Sequence, residues 1–261
     1  MNPFMPTPKK HKAPKISAEP TSPFGNGEKR YVHWLCSPGN VCVPQVEQKF
    51  TESPQWRIFR IMAEFIEGFE FLSKLKGEVS VFGSARAMPD DPFYKAAQEL
   101  GYKLGKKGYT MVTGGGPGIM EAGNKGAFEA GAESVGLNIE LQHEQRTNQY
   151  VKKAIGFHYF FTRKVMLSAS AQAYVFFPGG FGTLDEMTEM VTLVQTGKIP
   201  MNVPVILYGK KFCKPFFDWV YGSLCDEHGF VDRSELKIIR LVDTVDEAIK
   251  IIAGTSERDF G

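Results

Sequence analysis

The chain has 261 residues, 43% hydrophobic and 23% charged, an ordinary composition with apolar material for one sizeable core or two small ones. Lys and Arg total 31 against 29 Asp and Glu, a formal charge of +2 that excludes the broad positive field of a dedicated nucleic-acid binder, so an anionic ligand has to be met locally. The longest apolar runs fall short of the ~20 residues a membrane span needs, and no charged-then-apolar leader opens the chain, so the expectation is a cytoplasmic protein with no membrane or nucleic-acid partner.

Residues 1–30 are dense in Pro, Lys and Ser and nearly free of aliphatic side chains, which leaves nothing to offset the entropy of ordering them. Residues 1–50 are read as a flexible tail. Residues 51–76 are read as an amphipathic docking helix: after a Ser-Pro start, Trp56, Phe59, Met62, Ile66, Phe69 and Leu72 recur at three-and-four spacing. From Val79 onward, short β-rich runs alternate with helical segments. VSVFGSA, YTMVTGGG, SVGLNI, AIGFHYFF, AYVFFPGG and VPVILYG read as strands, with RLVDT as the last. The stretches between them have helical spacing and Gly near their ends. Nearly all-apolar strands separated by helices mean a parallel sheet covered on both faces. The predicted fold is α/β, a doubly wound, Rossmann-like parallel sheet over 77–255, preceded by the N-terminal helix and disordered tail and followed by a short tail at 256–261. In such a sheet ligands bind beyond the carboxyl ends of the strands. Cys36, Cys42, Cys213 and Cys225 lack metal-site spacing and are too few for a disulfide framework, so they read as reduced thiols.

Two glycine clusters fall at such strand ends. Thr113-Gly114-Gly115-Gly116-Pro117-Gly118 follows YTMV and opens a helix; Pro178-Gly179-Gly180-Phe181-Gly182-Thr183 follows YVFF and opens another. Glycines there let backbone N–H groups approach an anion, and the helix start adds positive potential. Neither cluster is a standard nucleotide fingerprint: the first strand ends in Phe82-Gly83-Ser84-Ala85-Arg86 rather than G-x-G-x-x-G, and no P-loop occurs. What remains is a cradle of backbone amides and Thr183 suited to a mononucleotide or sugar phosphate.

Thr183 and Glu186 match the T-x-x-E spacing of a capping box, in which Glu186 would only reach back to the helix start. Beside an anion cradle the same carboxylate can accept ribose hydroxyls, activate water or stabilise positive charge on a sugar ring. Glu121 stands in the first turn of the other glycine-led helix, where the macrodipole alone favours an acid. Arg163 and Lys164 are either a solvated helix start or an anion clamp, and Arg86 either a surface charge or a ligand contact in the crevice with Ser84. No G-x-S-x-G elbow, histidine triad or Schiff-base lysine signature appears. The Phe216, Phe217, Trp219 and Tyr221 stripe reads as core or subunit contact.

GGGPGIMEAGNKGA, the TRK segment and PGGFGTLDE together resemble the LONELY GUY (LOG) family, phosphoribohydrolases of cytokinin riboside 5′-monophosphates. The family's PGGxGTxxE signature is matched from Pro178 to Glu186 and its GGG-x-G-[IL]-M piece from Gly114 to Met120, while the continuation as Glu-Ala resembles the longer bacterial branch. The similarity runs over roughly 79–252. The resemblance implies that Arg163 and Glu186 form the catalytic pair, that Gly179, Gly180, Gly182 and Thr183 hold the 5′-phosphate, and that Gly115, Gly116 and Glu121 line the opposite wall. It also implies a homodimer or larger homo-oligomer. Lys164, Ser84 and Arg86 complete the expected substrate contacts, and neither metal nor cofactor is expected. The reaction so implied is hydrolysis of the N-glycosidic bond of a purine nucleoside 5′-monophosphate, cytokinin-type or AMP. The alternative is a non-catalytic nucleotide or molybdenum-cofactor carrier, which the same glycine turns would also suit.

Overall fold

The computed structural model describes residues 32–36, 42–46, 54–140 and 147–258. The chain divides into two units, Met1–Ser53 and Pro54–Gly261. In the first, Val32–Cys36 (β1) pairs antiparallel with Cys42–Val46 (β2), with Val32 opposite Val46 and Cys36 opposite Cys42. These strands fall inside the stretch read as a tail; their valines and Trp34 are residues that favour extended pairing. The rest of that stretch lies outside the described residues.

The second unit opens with helix α1, Pro54–Leu72. There follow β3 (Glu78–Phe82), α2 (Pro92–Lys106), β4 (Thr110–Thr113), α3 (Ile119–Glu129), β5 (Ser134–Ile139), β6 (Lys153–Phe157) and α4 (Phe160–Ser170). The chain continues through β7 (Ala173–Phe176), α5 (Phe181–Gln195), β8 (Val205–Tyr208), α6 (Lys210–Trp219), β9 (Ile239–Val242) and α7 (Val245–Ile252). Each of the seven strand runs read from sequence has its counterpart here. They form one parallel sheet in the order β6-β5-β4-β3-β7-β8-β9, the doubly wound arrangement expected from the alternation. No helix among the described residues is long and apolar enough to cross a membrane.

The strand period of two divides the core. Tyr174 and Phe176 of β7 enter one buried cluster with Leu137, Phe157, Met166 and Met190, whereas Ala173, Val175 and Phe177 enter the other with Val81, Leu100, Leu104 and Ile119. Helices on both faces close these clusters. Winding proceeds outward from β3 to β6, then restarts at β7 on the other side of β3. The switch point therefore lies between the carboxyl ends of β3 and β7.

Helix α1 differs from its sequence reading in one respect. Of its apolar stripe, Leu72 is buried, but Phe59, Met62, Ile66 and Phe69 are exposed. The buried face is Glu64, Gly68 and Leu72, one residue per turn. Helical spacing finds an apolar stripe, but here a carboxylate and a glycine seat the helix, and neither registers as apolar.

Candidate active site

Three loops meet at the switch point. Ser84 N donates to Pro178 O at 3.0 Å and Phe177 N to Phe82 O at 2.9 Å, which ties the β3 and β7 loops together. Ile119 N donates to Ser84 O at 3.0 Å and brings in the start of α3. Gly118 holds φ +70°, and a Cβ there would overlap Ser84 O, so a side chain would both strain the turn and part the loops. At Gly179 a Cβ would overlap Thr183 Oγ1 and stand 3.0 Å from Ser84 N. A cavity of about 310 Å³ opens here, bringing together the predicted Ser84, Arg86 and Gly179 with Asp91, Phe93 and Phe212. A narrower apolar cavity adjoins it, lined by Gly179, Thr183, Met187, Leu207, Cys213 and Phe216 among others.

The Gly114–Gly116 turn is shaped by a polar network that motif reading did not find. Gly115 holds φ +71° and its N–H donates to Thr113 Oγ1 at 2.9 Å. Thr113 Oγ1 donates to the fully buried Asn124 at 2.6 Å, and Asn124 donates to Ser134 Oγ at 2.9 Å. Asn148 Nδ2 lies within 3.1 Å of Gly115 O, Gly116 O and Asn124 Oδ1. Asn138 Oδ1 presses against Gly115, where a Cβ would overlap it, and has no hydrogen-bond partner. These asparagines come from α3, β5 and the loop before β6; no linear spacing relates them, so only the folded sheet reveals the network.

Arg163 stands in the first turn of α4, half-buried. Its Nε donates to Leu137 O at 2.7 Å, and its Nη2 fills the place a Cβ would take at Gly114. Burial lowers its pKa, opposed by the charge of Glu186. The solvated-helix-start reading therefore does not describe this side chain.

Glu186 resolves the ambiguity of the T-x-x-E spacing. Helix α5 begins at Phe181 with Gly180 as its cap and no side-chain cap bond, so Thr183 is the third helical residue and no capping box forms. Glu186 is 8% exposed, and its Oε2 is buried without a hydrogen-bond partner. Burial raises its pKa to about 7, against the lowering effect of Lys164 and Arg163, and Glu189 and Asp185 push it further up. Lys164, expected to meet substrate, pairs with Asp185 Oδ2 at 2.6 Å and Glu189 Oε2 at 3.1 Å. Glu121 accepts a hydrogen bond from Tyr94 of α2 at 3.2 Å, and burial together with Glu121 pushes the Tyr94 hydroxyl up to about 12. The fold thus sets Arg163 against Gly114 and within electrostatic reach of Glu186, while tying Glu121 to α2.

At Gly180 and Gly182 an added Cβ would meet no described atom within 4 Å, and neither has a positive φ. Packing among the described residues gives no reason for glycine there. In the first turn of α5 the Thr183 and Leu184 amides already donate to Gly180 O at 3.0 Å, so those of Phe181 and Gly182 are left to a partner outside the helix.

A family model described as "Possible lysine decarboxylase" matches residues 120–252. The cytokinin riboside 5′-monophosphate phosphoribohydrolase LOG of Oryza sativa subsp. japonica is 28% identical over 60% of this chain and 64% of its own, so the chain spans just under two thirds of that relative. The phosphoribohydrolase LOG1 of Arabidopsis thaliana is 30% identical over 69% of this chain and 84% of its own. Among solved structures, the molybdenum cofactor binding protein of Rippkaea orientalis shares the fold at TM-score 0.51 and 21% identity, covering 67% of this chain and 93% of that one. With half its length matched by the family model and a relative 30% identical over 84% of that relative's length, the chain belongs to the LOG family.

Proposed function

We propose that the protein hydrolyses the N-glycosidic bond of purine nucleoside 5′-monophosphates, releasing the free base and ribose 5-phosphate. The observation that carries this reading is Glu186: a buried carboxylate in the glycine-led helix α5, with an oxygen that has no hydrogen-bond partner, no capping role and the charge of Arg163 within reach. Two relatives carry phosphoribohydrolase names, which supports the same reaction class. In the reaction the C1′–N bond to the base breaks through an oxocarbenium-like state, and water adds its hydroxyl to C1′ while its proton goes to the departing base. Ionised Glu186 stabilises the developing positive charge and orients that water. Arg163 anchors the nucleotide and assists the leaving base. The amides of Gly180 to Gly182 and the Thr183 hydroxyl hold the 5′-phosphate, with Gly179 letting Thr183 close upon Ser84, and Arg86 borders the cavity beside Gly179. Gly115 and Gly116 form the facing wall. Like chains assemble on this reading, and the exposed Phe59, Met62 and Ile66 of α1 offer an apolar face for it.

The test is incubation of the purified protein with AMP and isopentenyladenosine monophosphate, resolving base, nucleoside and ribose 5-phosphate by chromatography, with Glu186→Gln as control. Base and ribose 5-phosphate formed only with the intact glutamate support the reading, and the two rates rank the substrates. Nucleotides that bind and stay whole transfer the site to the carrier reading.

A further inference from the structure

We infer that Glu64, on the N-terminal helix, is a positioning residue for Arg163; the inference rests on the hydrolase reading and extends it to a part of the chain outside the family model. Helix α4 starts after Tyr159 and has no side-chain cap of its own. A helix start leaves its first amides without intrahelical partners, and these have to be met by something else. Here that partner comes from α1, 94 residues earlier. Glu64 Oε1 accepts from His158 N at 2.9 Å, and Oε2 accepts from Tyr159 N at 3.3 Å and from Thr162 Oγ1 at 2.5 Å. Glu64 is 9% exposed, so this is a buried carboxylate with both oxygens engaged at the positive end of a helix.

The rest of the α1 face fits the same purpose. One turn on, a Cβ at Gly68 would stand 2.6 Å from Met166 Sδ and 3.3 Å from Phe157, so glycine is what lets α1 lie close against α4. A further turn on, Leu72 is fully buried. Thr162 immediately precedes Arg163, and the Arg163 N–H itself reaches Tyr159 O only at 3.3 Å. The first turn of α4 is therefore held both locally, with Thr162 Oγ1 2.8 Å from Tyr159 O, and from outside, by Glu64 on Thr162 and on the His158 and Tyr159 amides. Leu137 O fixes one side of the guanidinium, and Glu64 fixes the backbone from which it projects.

A cap that merely stabilised the fold would lower thermal stability and leave the function of Arg163 untouched. The two roles separate in a double-mutant cycle on the full-length chain, with kcat/KM for base release from AMP and the melting temperature read together. Glu64→Ala is expected to lower kcat/KM about tenfold or more in the parent, since small misplacement of a catalytic group has large kinetic effects. In an Arg163→Lys background the same change is expected to lower it less than about twofold. Glu64→Gln, which keeps one acceptor oxygen for the His158 or the Tyr159 amide and sets an NH2 group against the other, is expected to recover part of the rate. A folded Glu64→Ala protein with parental kcat/KM overturns the inference, as does an equal loss with and without Arg163. Should Glu64→Ala fail to fold, Thr162→Val removes one of the three bonds, and a parental rate in that variant overturns it equally. If the parent releases no base, the hydrolase reading falls by itself. The cycle is then read on AMP affinity, where additive effects overturn the role of Glu64.

Discussion

At the scale of single residues, Glu186 joins two properties that pull against each other. Its pKa stands at about 7 against an ordinary 4.5 because burial disfavours the charge that the proposed chemistry requires. For catalysis, ionised Glu186 predicts that kcat/KM rises with pH and levels off above about 7; a profile flat from pH 5.5 to 8.5 contradicts its role. For stability the sign is opposite. A carboxyl with a raised folded pKa contributes its full stability below its unfolded value near 4.5 and loses it as pH climbs through about 7. Glu186→Gln is therefore expected to melt higher than the parent at pH 8 and alike at pH 4.5, with ~3 kcal/mol as the ceiling for a shift of this size. The same variant should lose turnover by ~10²-fold or more while still binding AMP, measured by calorimetry and product chromatography side by side. This residue was legible in sequence only as an alternative, since T-x-x-E describes a cap as well as a catalytic acid. The start of α5 at Phe181, three residues earlier than the cap reading requires, removes the cap.

At the scale of elements, glycine has two roles that composition cannot tell apart. Between α2 and α3 the helices touch backbone to backbone: a Cβ at Gly126 would overlap Gln98 O, and one at Gly101 would overlap Gly123 O. Gly126→Ala has to push the helices apart and is expected to destabilise the fold by ~2 kcal/mol or more, read from denaturant unfolding. Gly180→Ala meets no described atom and has no positive φ to violate, so its stability should stay within ~0.5 kcal/mol of the parent. Its effect should fall on nucleotide affinity, which is expected to weaken about tenfold as the methyl group stands between phosphate and amides. A loss of stability without loss of affinity would show that packing, not ligand approach, selects this glycine. Both glycines sit in helix-opening motifs or helices on the page of the sequence, and only the neighbouring element says which role each serves.

At the scale of the whole molecule, the end of the sheet opposite the site is closed by residues 255–258. Arg258 Nη1 donates to Ser168 O at 3.0 Å, to Ala171 O at 3.1 Å and to Tyr174 Oη at 2.9 Å, and the Tyr174 hydroxyl donates in turn to Ser168 O. Gln172 Nε2 donates to Thr255 Oγ1 at 2.7 Å, and Gly77 N donates to Glu257 Oε1 at 3.3 Å. Residues 256–258 thus bind the end of α4 to the start of β7, although the sequence reading assigned them to a tail. Arg258→Ala is expected to lower stability by ~1–3 kcal/mol by leaving buried carbonyls unpaired, with base release by the folded protein unchanged. Beside this strap Glu78 is 2% exposed, with Oε1 unpartnered, and burial raises its pKa to about 7. Glu78→Gln should therefore also gain stability at pH 8, by the same sign as Glu186 but without loss of turnover.

The seven strands, the doubly wound order of the fold and the two glycine turns were legible because each rests on local physics: apolar runs of strand length, helical spacing, and glycines where backbone has to lie bare. The partners of the charged side chains were not. Whether Glu186 caps its helix, which carboxylates Lys164 pairs with, and what seats the start of α4 depend on atoms brought together from elements as far apart as residues 64 and 162. Sequence spacing reports which face of an element a residue occupies; hydrogen bonding and desolvation depend on what faces it, and only the tertiary structure decides that.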